Sequence, residues 1–268
     1  MKKKQIIKVY GGLGNQLFQY SFALYLKKFS KKEILLDTNE FHYVKHHSGL
    51  ELNKLIFNEF RSISFIKHLK YRFLKSLFKP KFYNQKLSDV NRLPSVKEFE
   101  NIEYFDGYWQ AFSMVNKIQG ELYKSLKPLK ISGLKINDNS VGIHIRRGDY
   151  LNSKEAYMGI CNIDYYKTAV EILNEKIVNP EFYIFSDDIP WCKKNLGFIK
   201  NKKFVDFNNS SFEDFILLIK FRNKVISNST FSWWAAMLSK SSKIIISPSK
   251  WNNQITYDDF FPKSWIKI

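Results

Sequence analysis

From Val141 onward the chain alternates short β-branched runs with helical patterns, and no other feature constrains its fold as tightly. Strands read at Val141–Ile145, Glu181–Ser186, Lys203–Phe207, Lys224–Asn228 and Lys243–Ser247. Helical patterns lie between them at Ile163–Ile177, just after Pro190, at Phe212–Arg222 and at Phe231–Leu238. Such alternation builds βαβ units, and βαβ units build a parallel sheet with right-handed crossovers. The first half opens in the same way, with a strand at Gln5–Tyr10, glycines at 11, 12 and 14, a helix over Asn15–Phe29 and a strand at Glu33–Thr38. The expectation is an α/β chain of two Rossmann-like domains facing one another across a cleft. The turn-rich stretch from Pro128 to Asn139 is the candidate linker, which gives an N-terminal domain over 1–132 and a C-terminal domain over 133–268.

A hydrophobic content of 44% excludes general disorder. No window has the apolar length of a bilayer span, and Met1-Lys2-Lys3-Lys4 runs straight into the strand-like QIIKVY, so the chain reads as cytoplasmic. Cys161 and Cys192 have neither the number nor the spacing of a zinc site or a disulfide framework. The formal charge of +18 favours anionic partners, among them a phosphate-bearing substrate, an acidic membrane surface or a nucleic acid. Part of that charge is concentrated between Arg61 and Lys86, where no Asp or Glu occurs and Ile63, Ile66, Phe73, Leu74, Leu77 and Phe78 recur at helical spacing. A basic amphipathic helix of this kind either lies on an anionic membrane face or packs its apolar stripe on the protein's own core. On the first reading, segment 61–86 holds the chain peripherally at the inner face of the cytoplasmic membrane. His42, His46 and His47 lack the companion ligands of a metal site and read as loop histidines.

Ligands of open parallel sheets gather beyond the carboxyl ends of the strands. Three strand ends in the second half carry polar groups there. In VGIHIRRGDY, period-2 alternation sets Val141, Ile143 and Ile145 on one face and Gly142, His144 and Arg146 on the other. An imidazole beside a guanidinium suits a phosphate, whereas an Arg147–Asp149 pair tidying the turn is the structural alternative. Ser186-Asp187-Asp188 places carboxylates where they would accept from a ribose or a guanine edge. They would also suit a divalent ion with a diphosphate, although Arg146, His144 and a helix N-terminus neutralise a diphosphate without one. Ser227-Asn228-Ser229-Thr230 leads into a helix whose N-terminus is suited to an anion. The first-half glycine loop is neither a Walker A loop nor a full dinucleotide fingerprint, and a tight βα turn explains it equally well.

Taken together, GGLGNQLFQY at 11–20, HIRRGDY at 144–150, FSDD followed by Trp-Cys at 185–192, EDFILL at 213–218 and SNSTFSWWAA at 227–236 resemble the bacterial and animal α-1,2-fucosyltransferases. The resemblance implies a GT-B fold, GDP-β-L-fucose as donor, inversion at the fucose carbon and no metal requirement. It also implies that Arg146 contacts the donor diphosphate, with His144 beside it. The expected activity is transfer of L-fucose to the 2-hydroxyl of a terminal β-galactoside, on an oligosaccharide or lipid-linked glycan acceptor, in surface polysaccharide synthesis. No cofactor and no nucleic-acid partner are expected; a different nucleotide sugar, and more distantly a basic nucleic-acid-binding protein, are the rival readings. The catalytic candidates are Arg146, His144 and Asp149, the last as general base with Asp37 and Asp106 as alternatives. The donor-binding candidates are Gly12, Gly14, Asn15, Gln16, Asp187, Asp188, Asn228, Ser229, Thr230 and Phe231.

Overall fold

A computed structural model describes residues 3–44, 48–74, 81–93, 95–129, 134–151, 154–206, 210–258 and 260–268, without the side chains of Leu74, Asp149 and Lys154. The chain divides into two compact units, one of Met1–Pro128 with Asp258–Phe260 and one of Leu129–Tyr257 with Phe261–Ile268. The division falls at Pro128 rather than at 132, and a short C-terminal segment returns to the first unit.

In the first unit, β1 (Lys4–Lys8), α1 (Leu13–Phe29) and β2 (Glu33–Asp37) form the opening βαβ unit. They are followed by α2 (Leu52–Leu55), α3 (Phe65–Leu74), β3 (Phe82–Asn84), β4 (Tyr104–Asp106), α4 (Phe112–Lys117) and α5 (Gln119–Ser125). The strands pair in parallel in the order β2-β1-β4-β3. Every residue of α1 from Leu13 to Leu26 except Asn15 is buried, so this helix is central, and its apolar residues run all round it. Phe22 of α1 stacks on Trp109 at 3.8 Å within a group that includes Phe99 and Phe105.

Two expectations change here. The stretch 61–86 is not one helix: α3 is described over Phe65–Leu74, residues 75–80 lie outside the described residues, and Phe82–Asn84 adds a strand at the sheet edge. A period of 3.6 cannot report the switch to a strand at its far end. The residues from Gln110 to Leu126, which the sequence reads as one helix closing the first half, are likewise broken at Ile118, whose fully buried side chain and φ of −118° separate α4 from α5. His46 and His47 lie outside the described residues.

The second unit contains β5 (Ser140–Ile145), α6 (Lys154–Tyr157), α7 (Ile163–Lys176), β6 (Glu181–Ser186), α8 (Ile189–Asn195) and β7 (Lys202–Phe204). It continues with α9 (Ser211–Lys220), β8 (Asn223–Val225), α10 (Thr230–Met237), β9 (Ile244–Ser247) and β10 (Ile266–Lys267). All six strands are parallel, in the order β10-β9-β8-β5-β6-β7. The alternation read from the sequence holds along β5: Val141, Ile143 and Ile145 join Ala169, Val170 and Leu173 of α7 in one core. Gly142 turns the opposite way, where a Cβ would stand 2.7 Å from Leu218 and 3.1 Å from Phe221, so only glycine lets α9 come this close. Ser210 caps α9 through a reciprocal box with Glu213, which assigns that acidic first turn to helix initiation.

Candidate active site

Chain order reverses at β5. β6 and β7 extend the sheet on one side of it, and β8 then begins on the other. Loops leaving the carboxyl ends of β5 and β8 therefore diverge, and such a switch point is where an open parallel sheet takes a ligand. His144, Arg146 and Ser227 stand at this edge.

The His144 ring is buried, its Nδ1 lies 2.8 Å from Ser227 Oγ, and it stacks on Phe231 with ring centres 5.1 Å apart. Burial, reinforced by the positive charge of Arg146, pushes its pKa down to about 3. The imidazole is thus neutral at physiological pH. In this environment the ring contributes hydrogen bonding and shape, and the standing positive charge beside it is that of Arg146.

Arg146 supplies the charge. Its Nη1 lies 3.2 Å from Asp187 Oδ2, and its guanidinium carbon 5.8 Å from the centre of the Tyr150 ring. The same Asp187 carboxylate accepts from the backbone N–H of Arg147 at 2.9 Å and of Gly148 at 3.1 Å. A Cβ on residue 148 would stand 2.8 Å from Asp187 Oδ2, so the glycine of RRGD makes room for the carboxylate that holds the turn. Arg147 points elsewhere, donating from Nε to Asp188 Oδ2 at 3.1 Å and lying 3.8 Å over the Trp191 ring. Asp188 also caps α8 by accepting from Trp191 N. Asp187 and Asp188, expected at a ribose or base, are therefore bonded to the protein's own donors and act as supports for the Arg146 turn. Asp149 opens a single helical turn, Asp149–Leu151, and its side chain lies outside the described residues.

The third strand end completes the edge. Asn228 donates from Nδ2 to the Trp251 carbonyl at 3.2 Å and accepts on its own carbonyl from Tyr150 Oη at 2.8 Å. Tyr150 thereby joins the Arg146 loop to the loop after β8. Ser229 occupies the N-cap position of α10 in extended conformation, and its own side chain makes no cap bond to the first turn carrying Thr230 and Phe231. Ser227, Tyr150 and Trp191 were absent from the sequence-derived candidates. Ser227 sits within a segment the sequence singles out, but the roles of Tyr150 and Trp191 depend on loops meeting in space.

In the first unit, Gly12 and Gly14 lie at the N-terminus of α1, with Gly11 at φ 77° before them. Asn15 is partly exposed and accepts on Oδ1 from Gln110 Nε2 at 3.1 Å. Gln16 is different: its Nε2 donates to the carbonyls of Gly11 and Gly49, and its Oε1 accepts from the N–H of Glu51 and Leu52. Its bonding capacity is filled, so Gln16 is a brace between loops and not a ligand contact.

Asp37, an alternative base, is also committed. Its Oδ2 takes His68 Nδ1 and Tyr104 Oη, each at 2.7 Å, and its Oδ1 takes Asn39. Burial opposes the charge, but these bonds outweigh it and hold the carboxyl below its usual pKa. Asp106 instead pairs with Lys8 at 3.5 Å and, with Glu40, Tyr43, Arg72 and Phe82, lines a cavity of about 470 Å³. Among the described residues, no group of three or more His, Cys, Asp or Glu converges as a metal site.

The family model described as "Glycosyl transferase family 11" matches residues 1–268. The alpha-1,2-colitosyltransferase of Escherichia coli is 29% identical over 296 aligned positions, covering 98% of each chain. The O-antigen biosynthesis glycosyltransferase WbnK of Escherichia coli is 31% identical, covering 96% of this chain and 98% of the relative. The galactoside 2-alpha-L-fucosyltransferase SEC1 of Bos taurus is 29% identical over a shorter span, 51% of this chain and 38% of its own. In fold, the crystal structure of fucosyltransferase NodZ from Bradyrhizobium superposes with a TM-score of 0.52 at 10% identity, covering 88% of this chain and 93% of that one. The GT-B-like α/β architecture implied by the motifs is the one found.

Proposed function

The chain belongs to glycosyl transferase family 11, and from that premise we propose that it transfers L-fucose from GDP-β-L-fucose to the 2-hydroxyl of a terminal β-galactoside, with inversion, in surface polysaccharide synthesis. The observation that carries this reading is Arg146, a permanent cation clamped by Asp187 at the switch point of the second-unit sheet. As the sugar acquires oxocarbenium character, negative charge collects on the departing diphosphate. A guanidinium already fixed at that position stabilises the charge without reorganising. Its planar fork matches a phosphate oxygen pair. Neutral His144 keeps the pocket from carrying two adjacent cations and offers a hydrogen bond beside Arg146. The first-turn N–H groups of α10 add donors on the other side of the edge. In this reading the guanidinium provides the countercharge that a divalent ion gives in other transferases, and the reaction runs without metal. Asp149, next to Gly148 in the same loop, takes the acceptor hydroxyl proton.

A second donor sugar has specific support. The relative from Escherichia coli is a colitosyltransferase, and colitose lacks a hydroxyl that fucose carries. Discrimination then rests on whether the sugar pocket hydrogen-bonds that hydroxyl, a contact that separates such analogues strongly.

Nucleotide recognition is tested by thermal shift. GDP at 100 times its dissociation constant stabilises the native state by about 2.7 kcal/mol, and UDP, ADP and CMP at equal concentration have much smaller effects. A UDP shift larger than that of GDP would contradict the assignment of the donor.

A further inference from the structure

The helix α3 has two faces of different character. Its inner face carries His68, 4% exposed, and Tyr71, which packs with Ile6, Leu35, Ile63 and Tyr104 against the first-unit sheet. Its outer face carries Ile66, Lys70 and Phe73, spaced i, i+4, i+7 and so aligned on one side. Ile66 is 81% exposed and Phe73 74% exposed, with Phe65 at 46% beside them. Large apolar side chains so open to water, on a helix that already has a buried face, require an explanation beyond the protein's own core.

Beside this face is a hollow of about 450 Å³, bounded by Ile66, Lys67, Lys70 and Lys81 together with Tyr71 and Phe82. Among the described lining residues the one carboxylate, Glu103, pairs with Lys81 at 2.9 Å. Lys67 is held below its usual pKa, first by burial and then by the charge of Lys4, with Lys70 adding to the effect against Glu33 and Glu103. The hollow therefore concentrates positive charge beside exposed hydrocarbon. A phospholipid headgroup layer offers the complement of both, phosphate at the depth of the lysines and acyl chain beneath it.

We propose that α3 and its lysine-lined hollow dock on an anionic lipid surface, Ile66 and Phe73 entering the headgroup boundary while Lys67, Lys70 and Lys81 meet lipid phosphates. The charge of +18 adds long-range attraction to the same surface. A nucleic acid satisfies the lysines but gives Ile66 no apolar layer to enter. The proposal does not depend on the donor or acceptor of the enzyme.

Flotation with phosphatidylcholine vesicles containing or lacking phosphatidylglycerol tests it. The full chain partitions onto anionic vesicles, less so as salt rises, and weakly onto neutral ones. Each lysine strengthens partition about five-fold, so K67Q/K70Q/K81Q lowers it on the order of 100-fold. Ile66→Ser lowers it about ten-fold. Both variants keep a melting temperature near the parent's, since Ile66 and Lys70 are exposed, Lys67 is only partly buried and the Lys81–Glu103 pair is open to water. Equal partition onto both vesicle types, or unchanged partition of the triple variant, overturns the proposal. So does single-stranded DNA that binds as tightly as the vesicles while Ile66→Ser has no effect on either.

Discussion

Arg146→Ala lowers kcat about 10³-fold, the scale seen when one fixed donor to a developing oxyanion is removed, while the melting temperature stays near that of the parent. The fold survives because Asp187, the partner left behind, still accepts from the N–H groups of Arg147 and Gly148 and is not stranded. Its partly open position also lets water replace the lost guanidinium. Arg146→Lys recovers little, because an ammonium is a point charge on a flexible stem and cannot offer two parallel bonds to a phosphate while facing Asp187. Steady-state rates of both variants beside a melting curve check this. A lysine variant within a few-fold of the parent would show that charge alone, without the fork, suffices.

Asp37→Ala gives the largest loss of stability. The carboxylate is 1% exposed and accepts from His68, Tyr104 and Asn39 at once. Its removal takes the acceptor from His68, from Tyr104 and from the backbone N–H of Asn39, whereas Asn39 Nδ2 keeps the Ile63 carbonyl at 3.1 Å. We expect a loss of about 3 kcal/mol, close to 10 °C in melting temperature. Tyr104→Phe, which removes one of the bonds, loses about 1 kcal/mol. The acid limb has a definite sign. Because the folded carboxyl titrates below its unfolded value, its stabilisation is complete above the unfolded pKa, near 4, and is lost as the pH falls below that value. Melting curves between pH 7 and 3 therefore show a smaller acid loss in Asp37→Ala than in the parent.

The second-unit sheet and the placement of His144 and Arg146 at the end of one of its strands were readable because the signals were local. Period-2 alternation in β5 and the βα order around it place His144 and Arg146 at a strand end, and three dimensions add only the chain reversal beside them. What each polar group does there was not readable. Asp187 and Asp188 have the composition of a ligand site, yet the N–H groups of Arg147 and Gly148, some forty positions away in sequence, claim Asp187. Gln16 looks like a residue of a ligand loop until Gly49 and Glu51 arrive to fill its amide. The pairing of Asp37 with His68 spans 31 positions and follows no motif. The charge state of His144 depends on burial, which spacing does not report. In each case the chemistry of the residue was evident and its partner was not, because the partner is set by packing.

The central claim is the identity of the transfer, and product linkage tests it most directly. The protein is incubated with GDP-β-L-fucose and a β-galactoside-terminated acceptor, and the product is read by NMR. The account predicts a single new α-linked fucose on the 2-hydroxyl of the terminal galactose, with the anomeric configuration inverted relative to the donor. A product linked at another hydroxyl, a β-linked fucose, or turnover with GDP-colitose and none with GDP-fucose would contradict it.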